Sequence, residues 1–221
     1  MHVNSMKNIT PQNSLLLFPY NGNAREAFDC LDHTYTFLGF IDDLTLKQGN
    51  IREGVTIYSR SALNLFPEAK LLAVPGSPTT FRQRREIIES LNIPFSRYAT
   101  VIHPSAKIAP SAKIGLNTLI MAGVVITADV TIGNHVCILP NTVIHHDSII
   151  EDSVLIGAGV IVAGHVRIRE NCYIGSGSTI INNIEIGPKA LVGMSSNVLK
   201  TVPAEVTVFG NPARISRSNG K

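Results

Sequence analysis

The chain has 221 residues, of which 16% are charged, and a formal net charge of +3 at pH 7. Its basic residues are scattered, without the basic tract or interleaved aromatic residues typical of nucleic-acid binding, so no nucleic-acid partner is expected. No apolar run reaches the roughly 18 residues that a membrane span requires. The three cysteines lie far apart, which argues against a disulfide framework and against a thiolate zinc site.

The first residues, 1–13, predict a flexible polar leader. They lack the apolar core of a signal peptide, and a cytoplasmic location is therefore expected.

Residues 14–98 predict a small Rossmann-like domain with a parallel sheet. Apolar runs predict strands over 14–19, 35–41 and 70–75, and helical stretches are predicted over 24–31, 59–66 and 79–92. Strands that alternate with helices are typical of a parallel α/β sheet.

Two polar segments follow the first two predicted strands. The turn from Tyr20 to Asn23 leads from a strand into a helix, which is a phosphate-binding arrangement, although its one glycine also suits any tight turn. Asp42 and Asp43 end the second strand, where open α/β sheets bind ligands, but Asp is also common in loops. Spacing alone leaves both interpretations open.

Three arginines, Arg82, Arg84 and Arg85, crowd the start of the third predicted helix, where the helix dipole disfavours cations. A bound anion would explain them. So would ion pairs one turn apart, Arg82 with Glu86 and Arg85 with Glu89.

An aliphatic residue recurs at every sixth position from Ile102 to Val198 without a break. In an α-helix, residues six positions apart would be scattered around the axis and would not share a face. The same spacing fits a parallel β-helix, in which three short strands make one coil of eighteen residues. The repeat predicts a second domain over residues 99–200, followed by a tail over 201–221.

The residue before each inward aliphatic side chain faces outward. One coil has eighteen residues, so outward residues that are eighteen positions apart lie on the same wall, and this groups them into the three walls of a triangular prism. The first wall is Val101, Leu119, Cys137, Leu155, Tyr173 and Leu191. The second wall is Lys107, Val125, Val143, Ile161, Thr179 and Asn197, and the third is Lys113, Thr131, Ile149, Arg167 and Glu185. Because a monomer seldom exposes apolar stripes like those of the first two walls, the pattern predicts a homotrimer.

The motifs GFIDD at 39–43, IHPSA at 102–106, HHD at 145–147 and GNPAR at 210–214 occur together in this order. The combination resembles the bacterial sugar O/N-acyltransferases of the bacillosamine N-acetyltransferase and sialic acid O-acetyltransferase group. The resemblance implies a left-handed β-helix, acetyl-CoA as cosubstrate without a metal, a nucleotide sugar as substrate, and a trimer with coenzyme sites between neighbouring prisms.

The resemblance also implies roles for single residues. His146 would be the general base, Asp147 would orient its ring, and the turn of Ala163 and Gly164 would supply a backbone N–H to the thioester oxygen. The residues implied in nucleotide-sugar binding are Asn21, Gly22, Asn23, Asp42 and Asp43. Two positions depart from the family pattern, because Asn23 and Leu155 stand where relatives have histidines.

The function expected from these features is acetyl transfer from acetyl-CoA to the amine of a nucleotide-linked amino sugar, with UDP as the expected nucleotide, in bacterial glycan biosynthesis. O-acetylation of a sugar such as sialic acid is an alternative, and so is a binding protein that has kept the prism without activity. A γ-type carbonic anhydrase, which also uses this prism, requires a histidine spacing that this chain lacks.

Overall fold

The computed structural model describes residues 13–31, 34–52 and 54–216. The predicted leader lies outside the described residues except for Asn13, and so does the end of the predicted tail, 217–221. Among the residues described, no helix is long and apolar enough to cross a membrane.

The α/β domain follows the predicted alternation of strands and helices. Its strands are β1 (Ser14–Phe18), β2 (Thr36–Ile41), β3 (Ile51–Arg52), β4 (Val55–Tyr58) and β5 (Lys70–Ala73). Its helices are α1 (Gly22–Asp29), α2 (Ala62–Leu65) and α3 (Arg84–Glu89), with short 3₁₀ turns at Phe81–Gln83 and Phe95–Arg97. The helix expected over 79–92 therefore divides into a 3₁₀ turn and a short α-helix.

The sheet of this domain has the order β3-β4-β2-β1-β5. The neighbours of β1 are both parallel to it, and only β3 runs antiparallel to its partner. Every residue of β1 is buried, as expected for an apolar strand at the centre of a covered sheet. The carboxyl ends of β1 and β2 therefore lie side by side, which brings the Tyr20 turn next to Asp42.

The repeat forms the predicted triangular prism. Its seventeen strands are two residues long, and each pairs in parallel with the strand eighteen residues away. They are Val101–Ile102, Lys107–Ile108, Lys113–Ile114, Leu119–Ile120, Val125–Ile126, Thr131–Ile132, Cys137–Ile138, Val143–Ile144, Ile149–Ile150, Leu155–Ile156, Ile161–Val162, Arg167–Ile168, Tyr173–Ile174, Thr179–Ile180, Glu185–Ile186, Leu191–Val192 and Asn197–Val198.

The inward aliphatic residues form one continuous core along the prism axis. Ile102 differs, since it lies in the open first coil and is 38% exposed. The stack also continues beyond residue 200, because Thr207–Gly210 pairs in parallel with Leu191–Val192 and turns back into Ala213–Ile215.

The first wall is covered by the α/β domain, and this corrects one prediction. Val101, Leu119, Cys137 and Leu155 are at most 5% exposed, because they pack in one core with side chains of the α/β domain such as Leu17. These four residues are therefore buried within the chain, and Tyr173 and Leu191 are partly buried against the same core. They do not form the subunit contact that the sequence predicted.

Polar contacts fix the same interface. The guanidinium of Arg84 is fully buried and donates to the carbonyl oxygens of Pro75 and His135. Asn117, also buried, exchanges hydrogen bonds with the backbone N–H (2.7 Å) and carbonyl (2.9 Å) of Ala73. Arg84 bonds across the two domains to His135, and Asn117 bonds across them to Ala73, which orients the domains relative to each other.

The other arginines of this segment have ordinary partners. Arg85 forms the predicted pair with Glu89 at 2.9 Å. Arg82 donates to the carbonyl of Lys189 and does not make the predicted contact with Glu86. No bound anion is needed to explain the three arginines.

Candidate active site

The HHD triplet lies at the prism corner between the second and third walls. His145, His146 and Asp147 occupy the turn between Val143–Ile144 and Ile149–Ile150, and all three are exposed. Ser148 follows them with its hydroxyl turned inward to the carbonyl of Ala163, 2.9 Å away in the next coil. The corner is thus a fixed turn that presents polar side chains to solvent.

The side chains of His146 and Asp147 are in hydrogen-bond contact with each other. Nδ1 of His146 lies 2.8 Å from Oδ2 of Asp147. A carboxylate in this position accepts a hydrogen bond from Nδ1–H, and in that tautomer the ring lone pair lies on Nε2. The arrangement therefore leaves Nε2 of His146 free to accept a proton.

Gly164 lies against this imidazole from the next coil. A Cβ atom on residue 164 would be 2.7 Å from Cε1 and 2.8 Å from Nε2 of His146. Ala163 uses its N–H in the sheet, where it donates to the carbonyl of Ile180 at 3.0 Å. The N–H of Gly164 has no hydrogen-bond acceptor among the described residues, so it is the N–H of this turn that can meet a substrate oxygen beside the base.

His165 is a site residue that the sequence analysis did not single out. Its ring meets that of His146 edge to face, with centroids 5.2 Å apart, and its Nε2 lies 3.7 Å from Oδ2 of Asp147. Counting eighteen residues on from His146 reaches Gly164, and the next residue completes the cluster. The coil period was therefore a signal that could have found it.

The turn after β1 has the geometry of a helix start. Asn21 caps α1, since its Oδ1 accepts from the N–H of Ala24 at 2.9 Å, and its Nδ2 donates to the carbonyl of Val74. Gly22 is the first residue of the helix. The side chain of Asn21 is thus engaged in holding the turn, while the helix start remains suited to an anion.

Asn23 faces a different space from Asn21. It lines a cavity of about 210 Å³ between the α/β domain and the first wall. The other lining residues include Gly76, Pro78, Leu155 and Tyr173. Leu155, which replaces the histidine of the family pattern, is packed against the Gly76 turn, where a Cβ atom would come within 2.7 Å of it.

The two aspartates after β2 have different environments. Asp42 is 3% exposed, and its oxygens accept from the N–H of Leu44 and from Nζ of Lys47 at 2.8 Å. Asp43 is half exposed and forms a two-pronged ion pair with Arg60 at 2.7 and 2.8 Å. Asp43 is therefore the aspartate that is open to a ligand.

Lys47, which the sequence analysis did not identify, links the carboxylate of Asp42 to the turn after β1. Its ammonium also donates to the carbonyl of Tyr20 at 2.9 Å. The turn and the aspartates therefore meet at one edge of the sheet, at the carboxyl ends of β1 and β2.

The two groups of candidate residues do not meet within one chain. The α/β domain packs on the first wall, while His146 lies at the corner between the other two walls, on the opposite side of the triangle. The turn after β1 and His146 therefore lie on different sides of the prism.

Comparisons with known proteins agree with this architecture. A model of the family described as the GMPPB C-terminal domain matches residues 97–169. No curated protein matches the sequence.

Solved structures match almost the whole chain. The acetyltransferase domain of PglB from Neisseria gonorrhoeae, in complex with acetyl coenzyme A, has a TM-score of 0.80 at 25% identity, over 93% of this chain and 100% of that one. PerB from Caulobacter crescentus, in complex with CoA and GDP-perosamine, has a TM-score of 0.82 at 24% identity, over 94% and 99%. WeeI from Acinetobacter baumannii has a TM-score of 0.76 at 24% identity, over 92% and 99%.

These matches confirm the predicted resemblance and fold class. The chain has the fold of these solved structures, with a small α/β domain followed by a left-handed parallel β-helix.

Proposed function

We propose that this protein is an acetyl-CoA-dependent acetyltransferase that acts on the amine of a nucleotide-linked amino sugar, with His146 as general base. One observation carries the proposal: the free Nε2 of His146 and the unpaired N–H of Gly164 lie side by side at one corner. The PglB domain that binds acetyl coenzyme A and PerB, which binds GDP-perosamine, have the same fold, and this supports the assignment.

The reaction follows from the chemistry of these groups. The sugar amine attacks the thioester carbon while Nε2 of His146 takes the proton that the amine loses. Asp147 stabilises the imidazolium that forms, and the N–H of Gly164 donates to the oxygen of the tetrahedral intermediate. Collapse of that intermediate releases the CoA thiolate and leaves the acetylated amine.

A column of exposed apolar side chains leads away from this corner and suits the coenzyme. Ile181 and Leu199 follow Ala163 at intervals of eighteen and are 42% and 52% exposed. The column ends at a cavity of about 310 Å³, lined among others by Lys200 and Arg214. We assign the pantetheine arm to the column and the phosphates to these cations.

We further propose a homotrimer in which the α/β domain of one copy presents the sugar to His146 of the next. The opposite placement of the two groups supports this, and so does the second wall, whose Ile161 is 44% exposed. The nucleotide-binding role of Asn21, Gly22, Asn23, Asp42 and Asp43 belongs to the same proposal. The cytoplasmic location stays a prediction.

The test is CoA release from acetyl-CoA with a panel of nucleotide-linked amino sugars carrying UDP, TDP and GDP, with sialic acid as an O-acetyl acceptor. One amino sugar should give turnover, and His146→Ala should lower it by about 10² to 10⁴ while acetyl-CoA still binds. Asp147→Asn should cost less. Full activity of His146→Ala would remove His146 from the mechanism, and turnover with sialic acid alone would favour O-acetylation. If acetyl-CoA binds but no acceptor turns over, a binding role is favoured.

A further inference from the structure

Three side chains form a cluster of possible metal ligands at the HHD corner. His146, Asp147 and His165 each offer a metal-ligating atom, and these atoms all lie within 4.8 Å of one another. His165 belongs to the next coil, and its backbone N–H donates to the carbonyl of His146 at 3.0 Å. The two turns are therefore held one strand spacing apart.

The distances are close to those of a metal centre. Oδ2 of Asp147 lies 2.8 Å from Nδ1 of His146 and 3.7 Å from Nε2 of His165. Ligands of a tetrahedral zinc ion, with bonds of about 2.0–2.2 Å, are separated by about 3.3–3.5 Å. These two distances must change by less than about 1 Å to reach that range. The third separation, between the two histidine nitrogens, lies within 4.8 Å and must shorten to the same range, which exposed side chains can accommodate.

The ligand chemistry selects the class of metal. Two imidazoles and one carboxylate suit Zn²⁺ and neighbouring transition metals. Mg²⁺ and Ca²⁺ prefer oxygen ligands, of which the cluster offers those of one carboxylate. A fourth position stays open to water.

We propose that His146, Asp147 and His165 form a binding site for a divalent transition-metal ion, with Zn²⁺ as the reference case. The ion occupies the place of the proton that His146 shares with Asp147. With Nδ1 bound to the metal, the neutral imidazole carries its hydrogen on Nε2, so that atom no longer accepts a proton. The metal is thus an inhibitor, a consequence that rests on the proposed role of His146 as base.

The neighbouring His145 provides a matched control. It is also an exposed histidine of the same turn, but it is not part of the cluster. A site built as proposed requires His165 and not His145, whereas general attraction of metal ions to exposed histidines makes no such distinction.

The binding test uses the full chain stripped of metal. Zn²⁺ is titrated by calorimetry, and Co²⁺ by its visible absorption, which reports on coordination geometry. We expect one ion per chain, and His165→Ala or Asp147→Asn should weaken binding at least about tenfold, while His145→Ala leaves it unchanged. Thermal unfolding of the metal-free variants checks that the fold is kept.

Three results would overturn the site: no saturable binding of one ion per chain, undiminished binding by His165→Ala, or equal loss in His145→Ala. The inhibitory consequence is tested separately. Zn²⁺ should abolish acetyl transfer by the unmodified chain, a chelator should restore it, and His165→Ala should resist Zn²⁺. If the metal binds as described but the metal-free protein transfers no acetyl group, the proposed function fails and the metal site stands. If transfer occurs and bound Zn²⁺ does not inhibit it, the inhibitory role is wrong.

Discussion

The imidazole of His146 leaves no room for a side chain on Gly164, because a Cβ atom there would lie 2.7 Å from Cε1 of the ring. The contact joins the proposed base to the proposed oxyanion donor across two coils. Each of the two groups therefore limits where the other can be.

Gly164→Ala is expected to lower turnover by displacing the ring of His146, with acetyl-CoA binding less affected. The measurement is a double-mutant cycle with His146→Ala, followed by steady-state kinetics and thermal unfolding. In the His146→Ala background the added methyl group meets no imidazole, so Gly164→Ala should cost little more. Additive losses in the two backgrounds would show that the methyl group acts elsewhere.

The sequence could predict the prism because its register repeats. Every sixth side chain is forced inward by the strand geometry, and seventeen repetitions leave no other register. His165 was within reach of the same count, since it lies one residue beyond the coil step from His146.

The sequence could not predict that the α/β domain covers the first wall. An apolar stripe such as Leu119 and Leu155 can be buried by a second copy or by another domain of the same chain, and periodicity does not distinguish the two. Arg84 was missed for a related reason. Its acceptors, the carbonyls of Pro75 and His135, come together only in the folded interface.

The buried His135 at the domain interface should make the stability of the fold sensitive to acid. Burial, together with the charge of Arg84, lowers the pKa of His135 to about 4, and its Nδ1 lies 2.9 Å from the buried amide of Asn117. The carboxylates of Asp152 and Glu89 raise this pKa by less than Arg84 lowers it, and Arg85 lowers it least. The unfolded chain binds this proton from about pH 6.5 downward, but the folded chain binds it only near pH 4.

Stability should therefore fall as the pH drops from about 6.5 to about 4, by up to about 3 kcal/mol from this group. His135→Asn keeps a side-chain acceptor and suits the left-handed backbone at this position, where φ is 59°. In urea unfolding experiments across this pH range, the free energy of unfolding of the variant should decrease less as the pH falls than that of the unmodified protein. Equal slopes for the two proteins would contradict the assignment to His135.

Assembly should depend on the second wall. Val143→Glu with Ile161→Glu is expected to convert a trimer to smaller species, because carboxylates buried in a subunit contact cost several kcal/mol. Sedimentation velocity measures this, with Lys113→Glu on the third wall as the matched control. A stable monomer of the unmodified chain would contradict the trimer and the shared site together.

Nucleotide binding should depend on the edge where the turn after β1 meets the aspartates. A uridine nucleotide is expected to bind the full chain with or without coenzyme A. Asp42→Ala should weaken it by releasing Lys47 from its place beside the Tyr20 carbonyl, and Asp43→Ala by removing an exposed hydrogen-bond acceptor. The side chain of Asn23 can form hydrogen bonds to a ligand but cannot transfer protons, so the reaction does not depend on proton transfer at this position. Asn23→His should therefore change nucleotide affinity more than the rate of acetyl transfer.

Titration calorimetry with UDP, TDP and GDP measures these effects, and Asp29→Ala serves as the control because Asp29 is an exposed carboxylate at the far end of α1. If the helix start holds the pyrophosphate, the nucleoside alone should bind more weakly than the diphosphate. Strong binding of GDP with weak binding of UDP would support the proposed binding site but would contradict the expected uridine nucleotide. If none of the three binds, or if binding is indifferent to Asn23 and both aspartates, the acceptor is not a nucleotide sugar held at this edge, and a free amino sugar becomes the substrate to test.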